Sequence, residues 1–121
     1  MTIGRLRIAD RDPMAIEWLN VPVALVPDLD PHELEFRSFY AILRDQYVIE
    51  IAGGSQTIEA TVADEEEAKL LEVPVHSPAL FVERRIWTPR GQTIEFVQST
   101  YRGDRYRFEV ELTAPLAGRG A

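Results

Sequence analysis

The sequence predicts an α+β domain: an antiparallel sheet carrying two short helices, with both helices expected on one face. Three observations lead there. Strand-like hairpin segments sit near both ends of the chain, two helix-like segments lie between them, and the outer segments repeat each other.

The repeat is read by laying the chain on itself. Residues 7–20 match residues 85–98 at a constant offset of 78, so that Arg7 falls on Arg85, Ile8 on Ile86, Ile16 on Ile94 and Glu17 on Glu95. Each copy reads as strand, turn and returning strand. The first turn carries Asp10, Asp12 and Pro13, the second Pro89 and Gly91. Two copies are too few for a solenoid, so they predict two pseudo-symmetric β-hairpins in one sheet.

The first helix is placed from Ser38, a suitable N-cap, through Phe39, Ile42 and Leu43 to about Gln46. The second starts at Asp64, where Glu67 completes a capping box and acidic residues suit the positive end of the helix dipole; Pro74 stops it. Residues 48–62 read as strand interrupted at Gly53-Gly54, and residues 105–112 alternate like a last strand. Residues 113–121, small and rich in Pro and Gly, read as a frayed tail after a domain spanning 1–112.

Composition narrows function. At 121 residues, 45% hydrophobic and 27% charged, the chain is long enough for one core and too apolar to be disordered. The net charge of -7 makes it a poor holder of DNA by itself. Lys69 is the only lysine, and the remaining basic residues are arginines, the side chain suited to forked contacts with carboxylate or phosphate. No cysteine is present, and the two histidines, His32 and His76, stand apart in loop-like contexts, so a metal site is not expected. GxSxG, HExxH, P-loop and GxGxxG motifs are absent, and no enzyme or cofactor is predicted. Neither a membrane-length apolar run nor a signal-like start is seen, which predicts a cytoplasmic protein.

Strand alternation places Ile3, Arg5 and Arg7 on one face, and Ala15, Glu17 and Leu19 on one face of the returning strand. In the second hairpin Phe81, Glu83, Arg85 and Trp87 share a face, with Glu95, Val97, Ser99 and Tyr101 alternating on the return strand. Arg7 with Glu17 and Arg85 with Glu95 are candidate ion pairs. They serve equally well as wet cross-strand pairs or as the charged lining of a ligand pocket.

Several ordered segments together resemble a known family. They are Ser38-Phe-Tyr-Ala-Ile-Leu, Ile58-Glu-Ala, Ala63-Asp-Glu-Glu-Glu-Ala, Leu71-Glu-Val-Pro-Val-His-Ser-Pro-Ala-Leu, and the run from Ile94-Glu-Phe-Val-Gln-Ser-Thr-Tyr to Phe108. From about Arg5 to Phe108 the chain resembles the UTRA domain of HutC-type GntR transcription regulators. The resemblance implies a chorismate-lyase-like fold, a homodimer and a small, often anionic effector such as a sugar phosphate or carboxylate. DNA would be read only by an N-terminal winged helix-turn-helix absent from this chain. It also implies effector contacts at Arg5, Arg7, Glu17, Ser38, Tyr40, Glu95, Ser99, Tyr101 and Arg102.

Two departures stand out. Val48 occupies a position where the family has glycine, and the family's domain starts some tens of residues upstream, which implies a chain shortened at its N-terminal side. Two other readings follow from the same residues: a chorismate-lyase-like enzyme, and a dimerisation remnant without a working pocket.

Overall fold

Two hairpins supply four of the five strands of a single antiparallel sheet. The computed structural model describes residues 1–114. β1 (Thr2–Ala9) and β2 (Asp12–Asn20) form the first hairpin, and β4 (Pro78–Trp87) and β5 (Thr93–Arg102) the second, with β3 (Gly53–Val62) on the outer side of β4. The strand order is β1-β2-β5-β4-β3, so the returning strands of the two hairpins meet at the centre.

The first hairpin turns on Asp10 and Arg11, both at positive φ, the backbone of a tight two-residue connection whose twist matches the strands. The second uses a longer loop. There the Thr88 hydroxyl accepts from the backbone N–H groups of Arg90 and Gln92, and Gly91 sits at φ +82°, open to glycine at no steric cost.

The core lies on the face carrying Leu19 and Val97. Residues 21–49 fold over it as two 3₁₀ turns (Val23–Leu25 and Pro31–Glu35), helix α1 (Phe39–Ile42) and a π turn (Leu43–Tyr47). Their apolar side chains Val26, Leu29, Leu34, Phe39, Ile42 and Leu43 pack with Leu19, Val21 and Ile94 into one buried cluster. Ser38 caps α1 as its residue type suggests, its Oγ accepting from Ala41 N at 3.1 Å. Val48 then takes the left-handed conformation (φ 55°, ψ 43°), and the chain is turned back so that Ile49 N reaches Leu43 O at 3.0 Å. A β-branched residue thus holds a backbone that glycine adopts freely.

Helix α2 (Glu65–Leu71) has the predicted capping box in full: Glu67 N donates to Asp64 Oδ1 at 2.8 Å and Asp64 N to Glu67 Oε1 at 3.1 Å. The other Glu67 oxygen accepts from the Thr100 hydroxyl at 2.8 Å, which fastens the helix to the sheet.

Four local expectations are corrected. The helices do not share a face: α2 packs against β2 on the side of Thr100, opposite the side of Leu19 covered by α1. β3 begins at Gly53 instead of being interrupted there, because the left-handed turn at Val48 delays entry to the sheet. Gly54 is needed at that entry, since a Cβ would lie 2.7 Å from the Arg85 carbonyl oxygen. α1 gives way after Ile42 to the π turn. Residues 105–112 are not a strand: both edges of β5 are already occupied, by β2 and β4, and the chain turns away at Gly103 to Arg105. The tail predicted over 113–121 lies, from residue 115 on, outside the described residues.

Candidate functional site

Between the sheet and the 34–40 segment lies a cavity of about 420 Å3, a size suited to a small metabolite. β1 contributes Arg5 and Arg7, β2 Glu17, β5 Glu95, Val97, Ser99 and Tyr101, and β4 Val82 and Arg84. The overlying segment supplies Phe36, Arg37, Ser38, Phe39 and Tyr40. Eight of the nine residues singled out in the sequence therefore line one cavity. Arg102 does not: its guanidinium is tied to Asp104 (2.8 Å) and to the Pro13 carbonyl oxygen (3.4 Å), on the side of the β1–β2 turn.

The floor holds two buried carboxylates, Glu17 and Glu95 (5% and 4% exposed). Buried carboxylates require partners. Arg5 sits directly across from Glu17 in the β1–β2 register, and its Nη2 donates to Glu17 Oε1 at 3.0 Å. Arg7 approaches Glu17 Oε2 only to 3.7 Å, and the Ser99 hydroxyl donates to that oxygen at 3.4 Å. Most of Arg7 remains open to solvent, so its guanidinium is free to take an anion. Arg5 Nε is buried with no hydrogen-bond acceptor among the described residues, an unmet demand on a cavity-lining cation.

Glu95 is held differently. The Tyr40 hydroxyl donates to Glu95 Oε1 at 3.0 Å, and Arg84 Nη1 donates to the Tyr40 oxygen at 3.3 Å. Gln56 anchors Arg84 from β3, accepting from its Nε at 3.0 Å. Burial pushes the Glu95 carboxyl above the usual carboxylate range, with the Tyr40 hydrogen bond and the charges of Arg84 and Arg5 partly offsetting it. Burial also raises the Tyr40 and Tyr101 hydroxyls, so both stay protonated donors. The Tyr101 ring packs on Tyr106 at 4.3 Å between centroids and closes the end of the cavity nearest the β1–β2 turn.

The predicted pair of Arg85 with Glu95 does not form. Across β4–β5, Glu95 lies opposite Ile86 and Arg85 lies opposite Phe96, so Arg84, not Arg85, shares the cavity face. The repeat misplaces it because the second hairpin's loop is longer than the first hairpin's turn, which moves the leading strand relative to its return partner. Arg37 and Phe36 were also missed; their only sequence signal is that they directly precede the Ser38 cap.

The site is thus a concave, mainly polar chamber with cations on two sides (Arg5 and Arg7; Arg84 and Arg37), acceptors on its floor and hydroxyls between. It is equipped to bind an anion that also carries donor groups.

A sheet of this order with such a chamber is the architecture of a small-ligand-binding domain, and comparison with known proteins defines the class. The UTRA domain family matches residues 1–107, and the chain belongs to that family. It is 34% identical over 106 residues to the HTH-type transcriptional repressor NagR of Bacillus subtilis, covering 88% of this chain and 43% of that protein. It is 31% identical over 97 residues to the histidine utilization repressor of Pseudomonas putida, covering 80% of this chain and 38% of the repressor. The chain therefore spans less than half the length of these relatives. Among solved structures, a GntR-family transcriptional regulator from Enterococcus faecalis V583 superposes with a TM-score of 0.84 at 31% identity, over 92% of this chain and 79% of the other. The named relatives are transcription regulators. No helix among the described residues is long and apolar enough to cross a membrane.

Proposed function

We propose that this chain is the effector-sensing and dimerisation module of a GntR/HutC-type bacterial transcription regulator. It binds a small anionic metabolite, a sugar phosphate or a carboxylate, in the cavity between Arg5, Arg7 and Arg84. Occupancy controls DNA binding by an N-terminal winged helix-turn-helix of the same regulator, in the cytoplasm.

The observation that carries this reading is the free cationic capacity around the two floor carboxylates: Arg7 is only loosely held and Arg5 Nε lacks an acceptor. An anion bound there satisfies both, while Glu17, Glu95 and the Ser99 and Tyr101 hydroxyls accept from and donate to its hydroxyl or amino groups. The kinship with transcription regulators supports the coupling to DNA.

The test is a thermal-shift screen of the chain against sugar phosphates, amino-sugar phosphates, urocanate and small dicarboxylates. A true effector at about 100 times its dissociation constant adds roughly 2.7 kcal/mol, a rise of several degrees. A flat response across all of these anions in a cooperatively melting protein contradicts the proposal.

A further inference from the structure

Most arginines of this chain sit against a carboxylate. Arg5 pairs with Glu17, Arg37 and Arg44 with Asp45, Arg102 with Asp104 and Arg105 with Asp12. Arg84, on the wall of the cavity, is held differently. Its Nε donates to the Gln56 amide oxygen at 3.0 Å and its Nη1 to the Tyr40 hydroxyl at 3.3 Å, both neutral acceptors. Among the described residues no carboxylate forms an ion pair with it, and its Nη2 donates to nothing. Glu95 takes the Tyr40 hydroxyl instead. A guanidinium fixed at two points by neutral groups keeps its full charge and has donors to spare. The β3–β4 register sets this up, because Gln56 lies directly opposite Arg84, where a glutamate would have made an ordinary cross-strand ion pair.

The register also fixes where that charge stands. Arg5, Glu17, Ser99 and Val82 are level across β1, β2, β5 and β4, and Arg84 is two residues beyond Val82 on the cavity side. Three strand spacings and two residues put the Cα atoms of Arg5 and Arg84 about 16 Å apart. Arg5 reaches in to Glu17 and Arg84 to Tyr40, so a sugar-sized molecule spans what remains between the guanidiniums. Along that span stand Glu17, Glu95 and the Ser99 hydroxyl, which suit neutral hydroxyl or amino groups.

We infer that Arg84, positioned by Gln56, is a second anion contact, and that the effector therefore carries two acidic groups, one at the Arg5 and Arg7 end and one at Arg84, joined by a hydroxylated or aminated carbon chain of sugar size. This rests on the anion cavity of the proposed function and narrows its ligand to the class of sugar diacids and phosphorylated sugar acids.

Probes that differ by one acid test it, by calorimetry on the folded chain: gluconate against glucarate, and glucose 6-phosphate against 6-phosphogluconate. The wild type is expected to bind the two-acid member of a pair at least about tenfold more tightly. Arg84→Gln removes the second charge. Gln56→Glu leaves the guanidinium in place and cancels its charge with an ion pair. Both variants are expected to lose the preference for the second acid and to bind the one-acid member as the wild type does. Equal binding within the pairs by the wild type overturns the inference and leaves the anion cavity standing. So does a preference that survives in both variants, or an effector from the thermal-shift panel that carries a single acid and binds Arg84→Gln as tightly as wild type. Arg84 then only braces Tyr40, a role that Gln56→Glu preserves. No binding of any small anion, in the pairs or in the panel, overturns the cavity reading together with this one.

Discussion

Leu19 and Val97 face each other directly across the central β2–β5 pair, and the 78-residue repeat carries one onto the other. An approximate two-fold axis through the sheet therefore passes between them. It relates Glu17 to Glu95, placing both carboxylates on one floor. The symmetry stops at their partners. Glu17 has the arginines of the edge strand, while Glu95 faces Ile86 and reaches Arg84 only through Tyr40. A duplicated hairpin thus gives a cavity with two unlike ends, which is what an asymmetric ligand requires.

Arg5 and Arg7 separate structure from binding. Replacing Arg5 with Met removes the only close ion-pair partner that a buried carboxylate has among the described residues and costs about 2–3 kcal/mol, less than a fully buried pair because Arg5 is one-third exposed. Replacing Arg7 with Ala costs under about 1 kcal/mol, since that side chain is largely exposed and 3.7 Å from Glu17. Urea melts of the two variants check the contrast.

Glu95 sets a pH slope. Its folded-state carboxyl is raised by burial, so the folded protein holds a proton there that the unfolded chain has released. Its contribution is fully present below the ordinary glutamate value and is lost as pH rises through the raised one. Glu95→Gln is expected to flatten stability against pH just above the ordinary value of 4.5 and to be the more stable protein at neutral pH. Melts taken from acid to neutral pH show whether that slope disappears.

Glu67 serves the α2 cap with one oxygen and Thr100 with the other. Glu67→Ala is expected to cost about 1–2 kcal/mol, more than a capping glutamate alone, because a buried hydroxyl also loses its acceptor. Glu67→Gln, which keeps an acceptor oxygen, should recover part of it. Equal losses in both variants would show that the charge matters and not the geometry.

Val48 is β-branched at φ 55° and 85% exposed, so its side chain contributes little packing to set against the strain. Val48→Gly is expected to stabilise by about 1 kcal/mol after the entropy cost of glycine, a rise of a few degrees in Tm. An unchanged or lower Tm would mean that the left-handed turn carries no strain.

The parts of the molecule that were legible beforehand are those that depend on near neighbours. The Asp64–Glu67 box and the Ser38 cap are complete within four residues, and both form as read. The two hairpins and their repeat were visible because strand and turn chemistry is local. Arg84 was lost to Arg85 because loop length decides register, and a one-residue change of register exchanges the faces of a strand. α2 reached the opposite face because its landing point on β2 is chosen by packing across three strands, which α2's own sequence does not encode. Residues 105–112 show the limit from the other side: their alternation predicted a last strand and none forms, because both sides of β5 are already taken by β2 and β4.

The most direct test of the central claim is the anion thermal-shift panel run in parallel on wild type and Arg7→Ala. The cavity reading predicts that one class of small anion raises the wild-type Tm by several degrees and leaves the variant unmoved, although the two proteins melt almost alike without ligand. Equal shifts in both proteins, or none in the wild type, would contradict it.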